Sequence, residues 1–224
     1  MKNRESLILQ WLITLIPVIY YLSLWKLLPE EVPTHYNFNL KPDDFHSKEF
    51  MLGILIFMGL VVVASSAAIL NGNSIDPKRK TAQPDSILKI TSWVVTVFIT
   101  LIMFLIVLMT KNYCIKQPIE SFEKIILIVL CLFFICLGFL MKNVQPNYFF
   151  GIRTPWTLES ENNWKQTHQL GSKIWVWGNI LVATTILTTP NNYSGPLFIT
   201  GIILLTIIPV YYSYNLHSKE KKKI

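Results

Sequence analysis

The sequence predicts an all-α, polytopic membrane protein with six transmembrane helices, and three observations carry that prediction. Hydrophobic residues make up 52% of the chain and charged residues only 15%, against about 25% charged in soluble domains. The apolar residues fall in blocks long enough to cross a bilayer, which takes about 20 helical residues at about 1.5 Å each. Lys and Arg are also divided unevenly between alternate loops.

The blocks run over residues 7–28, 50–70, 87–109, 123–141, 174–189 and 196–215, within one membrane domain spanning 1–224. Helices are required because bare backbone polar groups in hydrocarbon must be satisfied inside the segment, and the alternating strands of an outer-membrane barrel are absent. The first block is too long for a secretory h-region and no small-residue cleavage site follows it, so it is expected to stay as an anchor. Pro17 and Pro209 interrupt the first and sixth spans and are read as packing kinks. The fifth block is the shortest and least apolar. Cys114, Cys131 and Cys136 have no metal spacing, and the last two lie in a span where a thiol behaves as a small hydrophobe.

Orientation follows from basic residues in short loops. One side carries Lys2, Arg4, Lys78, Arg79, Lys80, Lys142, Arg153, Lys165, Lys173, Lys219, Lys221, Lys222 and Lys223; the other carries Lys41, Lys48, Lys111 and Lys116. This places both termini and the loop 142–173 in the cytoplasm, and the loop 29–49 outside. The net charge of +7 then faces anionic lipid rather than nucleic acid, and no direct nucleic-acid binding is expected.

Ion-coupled transporters place acids, His or Arg inside the bilayer, and the middle thirds of these spans have none. Ser65, Ser66, Thr96, Thr100, Asn179, Thr184 and Thr185 are the polar residues at depth, suited to interhelical pairing. Asn179, beside Gly178, is the one singled out as a candidate site.

Two loops carry more. Residues 28–49 read LPEEVPTHYNFNLKPDDFHSKE; Pro29, Pro33 and Pro42 forbid a continuous helix and favour extended or turn geometry. His35 and His46 lack a third ligand, so no metal and no cofactor is expected. In residues 142–173, Thr154 before Pro155 has the pattern of an N-cap with Pro at the first helical position, with Thr157 or Ser160 as later starts. Trp164, His168 and Trp175 recur at helical spacing, on one face of an interfacial cytoplasmic helix leading through Gly171 into the fifth span. Arg153, Trp156 and Trp164 suit a headgroup interface. The sharper alternative is a docking surface for a cytosolic partner, with Asn162, Asn163, Gln166 and Gln169 as polar contacts.

The stretch Leu28–Asp43 resembles the first-loop signature of an uncharacterised bacterial membrane domain. The stretch NYFFGIRTPWTLESENNWKQTHQLG, Asn147–Gly171, closely resembles the SdpI family of bacterial toxin-immunity membrane proteins. Leu40 and Ser172 depart from the pattern at positions where a glycine is expected. The resemblance implies a non-enzymatic protein of the bacterial cytoplasmic membrane that protects its cell from a secreted, membrane-disrupting peptide toxin by binding it. It also implies a receptor that retains a cytosolic winged-helix repressor at the membrane. On this reading Pro33, Thr34, His35, Asn37, Phe38, Pro42 and Asp43 face the toxin. Asn147, Phe150, Gly151, Arg153, Thr154, Pro155, Trp156, Trp164, His168 and Gly171 form the cytoplasmic motif. A small-solute transporter or channel is the second reading. An intramembrane protease is the third and poorest, because the pair Glu30 and Glu31 precedes Pro33 in a loop without a converging Arg.

Overall fold

The computed structural model describes residues 2–37, 42–75, 82–117 and 122–221. Phe38, Asn39, Leu40 and Lys41 of the first loop lie outside the described residues, as do Lys78, Arg79, Lys80, Lys222 and Lys223.

The elements are α1 (Lys2–Ser23), β1 (Glu31–Tyr36), β2 (Pro42–Ser47), α2 (Lys48–Leu70), α3 (Gly72–Ile75), α4 (Asp85–Cys114), α5 (Phe122–Met141), α6 (Pro155–Glu159), α7 (Glu161–Thr188) and α8 (Asn191–Lys221). Six of the helices are long and apolar enough to span a membrane, as the six apolar blocks predict. Large apolar side chains such as Ile19, Phe57, Leu60 and Leu181 are exposed along them, the surface expected of helices solvated by lipid. The chain is a multi-pass membrane protein.

One boundary differs from the expected spans. α1 ends at Ser23 and residues 24–28 form a turn closed by Leu28 N–H on Leu24 O at 3.1 Å, because Pro29 disfavours helical geometry just before it. The cytoplasmic helix expected to lead through Gly171 into the fifth span does so: α7 runs unbroken for 28 residues. Gly171 sits in its interior and ends nothing.

The residues cluster into two compact units. The first comprises Met1–Ile69 and Ser92–Ile126. Its core gathers Val18, Tyr21, Leu28, Val32, Met51, Leu55, Met103 and Val107. Polar residues within it pair across helices: Gln10 and Ser92 exchange hydrogen bonds at 2.9 and 3.1 Å, and Ser66 meets Thr96 at 2.9 Å. Such pairs satisfy groups that hydrocarbon cannot.

The second unit comprises Leu70–Thr91 and Leu127–Ile224. α7 and α8 lie against each other there. A Cβ at Gly178 would collide with Leu205 on α8, so the missing side chain permits the approach. Pro209 on α8 has no N–H for the carbonyl one turn earlier, that of Leu205. The Trp175 indole N–H donates to this Leu205 carbonyl at 3.2 Å. The proline read as a packing kink therefore frees a carbonyl that the neighbouring helix caps.

Candidate functional site

The first-loop residues fold as an antiparallel hairpin, β1 with β2, pairing Glu31 with Ser47, Val32 with His46 and Pro33 with Phe45, and shifting register around His35. Val32 is buried in the first unit's core. Thr110 donates to Pro33 O at 3.4 Å, and Tyr36 OH lies 3.5 Å from Thr110 Oγ1. Burial pushes the Tyr36 phenol up to about 12, so it stays a neutral donor. With its inner edge anchored, the hairpin exposes His35 and Asp43, whose Nδ1 and Oδ1 are 2.6 Å apart. Thr34 Oγ1 meets His46 Nδ1 at 2.8 Å. Of the expected toxin-facing residues, His35 and Asp43 are exposed, Thr34, Asn37 and Pro42 half-buried, and Pro33 buried. Among the described residues no three His, Cys, Asp or Glu side chains converge as a metal site.

In the second unit, residues 144–172 build one continuous constellation. Asn147 closes the turn ahead of it: its Oδ1 accepts the N–H groups of Phe149 and Phe150 at 2.7 and 2.8 Å, and its Nδ2 donates to the carbonyls of Gln145 and Phe150 at 2.8 and 3.0 Å. The four bonds use the full capacity of one amide. Gln83 brackets the Gln145 backbone, donating to its carbonyl at 2.7 Å and accepting its N–H at 3.0 Å. Asn73 holds the Gln83 backbone in the same way, at 2.9 and 2.7 Å.

The chain then turns at Gly151, where φ is +113°, a conformation that favours glycine. A Cβ there would lie 2.5 Å from His168 Nε2 and 3.1 Å from the Trp164 ring. Those two rings stack with centroids 4.0 Å apart. His168 Nε2 accepts the Ile152 N–H at 2.9 Å, and its Nδ1 is 2.8 Å from Trp164 O. A carbonyl can only accept and an N–H can only donate, so the two partners fix the neutral Nδ1–H tautomer. The Trp164 indole donates to Val144 O at 2.9 Å. Trp164 and His168 are 2% and 1% exposed.

α6 begins with the expected cap. Thr154 and Thr157 form a reciprocal capping box with Pro155 in the first turn, and Thr157 donates to Ile152 O at 2.8 Å. Ser160 caps α7 through the Asn163 N–H at 3.2 Å. Trp156 donates to Ser213 Oγ on α8 at 2.6 Å and stacks on His217. Asn163 donates to Ser213 O at 2.9 Å and accepts from Thr167 at 3.0 Å.

The motif residues thus divide by position. Asn147, Trp164, His168 and Gly171 are buried; Phe150, Thr154 and Trp156 are half-buried; Gly151, Arg153 and Pro155 are exposed. Trp164, expected at a headgroup interface, and His168 face inward instead, bonded to Val144 O and the Ile152 N–H. Exposed polar surface comes from Arg153, Asn162 and Gln169 instead. Arg153 donates to Tyr148 O. Asn179 lies apart from this group, fully buried, with its Nδ2 on Trp175 O at 2.7 Å and its Oδ1 without a partner among the described residues. Thr167, Ser213 and Gln83 escaped the sequence reading; Asn163 and Thr167, four apart on one helix, were its available signal.

This constellation lies inside a recognisable segment. Residues 143–213 match the SdpI/YfhL protein family. The SdpI/YfhL segment contains the Gly151 turn, α6, α7 and α8 as far as Ser213, so the match covers the buried network itself. Residues 12–61 match a domain of unknown function, DUF1648, a stretch that includes the whole hairpin. Beyond the SdpI/YfhL segment, the chain is 25% identical over 218 residues to Immunity protein SdpI of Bacillus subtilis (strain 168), covering 97% of each protein. No solved structure matches.

Proposed function

We propose that this chain is an immunity protein of the bacterial cytoplasmic membrane, protecting its cell from a secreted, membrane-active peptide toxin by binding it rather than cleaving it. The observation that carries this reading is the end-to-end similarity to Immunity protein SdpI, 97% of each chain, with the SdpI/YfhL match falling on the buried Trp164–His168 network. The His35–Asp43 hairpin is the toxin-facing element. It offers an imidazole, a carboxylate and strand edges on a scaffold anchored by Val32, and extended peptides commonly add to exposed edges.

The SdpI/YfhL segment serves a second purpose, retention of a cytosolic winged-helix repressor when toxin is bound. Arg153 carries a permanent planar cation suited to a carboxylate, next to the polar Asn162 and Gln169. Expression of the chain in a toxin-sensitive cell tests the main reading: survival should rise with the peptide recovered intact. Recovery of a cleaved peptide that depends on the chain overturns the binding mechanism.

A further inference from the structure

Within the second unit a groove of about 360 Å³ is lined by Trp156 of α6 and by Thr206, Ile207, Val210, Tyr211 and Tyr214 of α8. Small-ligand sites begin at about 300 Å³. From Thr206 to Tyr214 the helix advances about 12 Å, at about 1.5 Å per residue. The polar stretch NLHSKEK starts at Asn215, so the groove occupies the last turns of the apolar run of α8.

The lining offers hydrocarbon and ring faces, and no Asp, Glu, Lys, Arg or His belongs to it. Two of its polar atoms are already engaged elsewhere. The Trp156 indole N–H donates to Ser213 Oγ at 2.6 Å, and the Thr206 hydroxyl donates to Ile202 O at 2.8 Å. The Trp156 ring is also held by an edge contact with Tyr214, centroids 5.5 Å apart, and by its stack on His217 at 5.9 Å. One wall is thus fixed in place. Ile207, Val210, Tyr211 and Tyr214 are exposed, as are Ile203 and Leu204 one turn further from the polar end. The groove is therefore continuous with the apolar surface that lipid solvates along this span.

We propose that this groove holds one acyl chain of a membrane phospholipid, laid along α8 against the Trp156 ring. A chain in a concave site meets protein on several sides where a chain on a convex helix meets it on one, and dispersion adds up over those contacts. With no charged side chain in the lining, the site recognises the hydrocarbon and not the headgroup. The occupant also touches the buried network through its wall. Trp156 is bonded to Ser213, whose carbonyl accepts from Asn163 at 2.9 Å.

The test is Trp fluorescence of the full chain in phosphatidylcholine vesicles, with a rising share of the lipid brominated on its acyl chains. The chain has seven Trp, so the Trp156 signal is the difference between it and Trp156→Phe, with Trp156→Tyr in its place if the Phe variant loses its fold. Bromine should quench that signal. Val210→Phe fills the groove and should remove most of the quenching, whereas Leu181→Phe, on the exposed surface of α7, should leave it unchanged. Trp177, 70% exposed, meets several lipids at once, so its quenching should rise more steeply with the brominated share than that of Trp156, which answers to one chain. The same dependence for both rings, or Trp156 quenching that survives Val210→Phe, leaves only the ordinary surrounding lipid and overturns the assignment. Brominated phosphatidylglycerol should quench Trp156 as phosphatidylcholine does; a headgroup preference would put the recognition outside this groove and overturn it as well.

Discussion

His168 Nε2 accepts the backbone N–H of Ile152 at 2.9 Å across sixteen residues of sequence. A side chain inside α7 therefore sets where the exposed Arg153 begins. Replacing His168 with Ala strands that part-buried N–H and removes the Trp164 stack, at a cost of up to about 1–3 kcal/mol for the unsatisfied donor. His168→Gln presents an oxygen near the Nε2 position and should recover part of the loss. Thermal unfolding of the two purified variants checks this; equal stability of Ala and Gln would show that the acceptor contributes nothing.

Gly151 has no room for a side chain, with φ at +113° and a Cβ 2.5 Å from His168 Nε2. Gly151→Ala should cost about 1–3 kcal/mol through backbone strain and displace the His168 ring. In a His168→Ala background the imidazole contact is gone and only the looser one with the Trp164 ring, at 3.1 Å, remains, so the same change should cost less. Identical losses in both backgrounds would show that the His168 contact adds nothing to the cost.

Trp175 and Pro209 should be energetically coupled through the Leu205 carbonyl. Trp175→Phe leaves that carbonyl unpartnered while Pro209 is present; Pro209→Ala restores an N–H for it within α8. A double-mutant cycle should give a coupling of about 0.6 kcal/mol, with about 1.7 as the upper range for membrane hydrogen bonds. A coupling of zero would reduce the indole contact to packing.

The spans were legible because burial in lipid needs only length and apolarity, and the run Phe122–Met141 shows both without interruption. Thr154–Pro155 was legible as a helix start because capping is local chemistry. The buried side of the motif was not. Trp164 and His168 have an amphipathic spacing equally suited to lipid, a partner or the unit's interior. Only the long-range bonds to Val144 O and Ile152 N–H decide among these. The hairpin was half legible: its prolines announced extended chain, but the pairing of Val32 with His46 is a register that neither strand specifies by itself. Gln10 stood in plain view within an apolar block, and its reciprocal partner Ser92 could not be read without the fold.

Membrane orientation rests on thirteen basic loop residues against four. In a cysteine-free background, Asn39→Cys and Asn191→Cys should react with an impermeant thiol reagent on whole cells, and Glu159→Cys only after lysis. Labelling of the Glu159 site in intact cells would reverse the orientation.

The proposed division of labour between hairpin and motif has its own signature. His35 and Asp43 are exposed and paired at 2.6 Å, so His35→Ala and Asp43→Ala should lower toxin survival while membrane abundance and repressor retention persist. Arg153 and Gln169 are exposed on the SdpI/YfhL segment, and their Ala variants should lower repressor retention first. Trp164→Ala serves as the folding control: it removes a buried ring and its bond to Val144 O, a truncation that costs about 3–5 kcal/mol, and should deplete the protein and both activities together. The three behaviours are distinguishable in one experiment that follows abundance, survival and repressor localisation side by side. Well-expressed Arg153→Ala protein that loses protection yet still retains the repressor would show that the two roles are not divided between these elements.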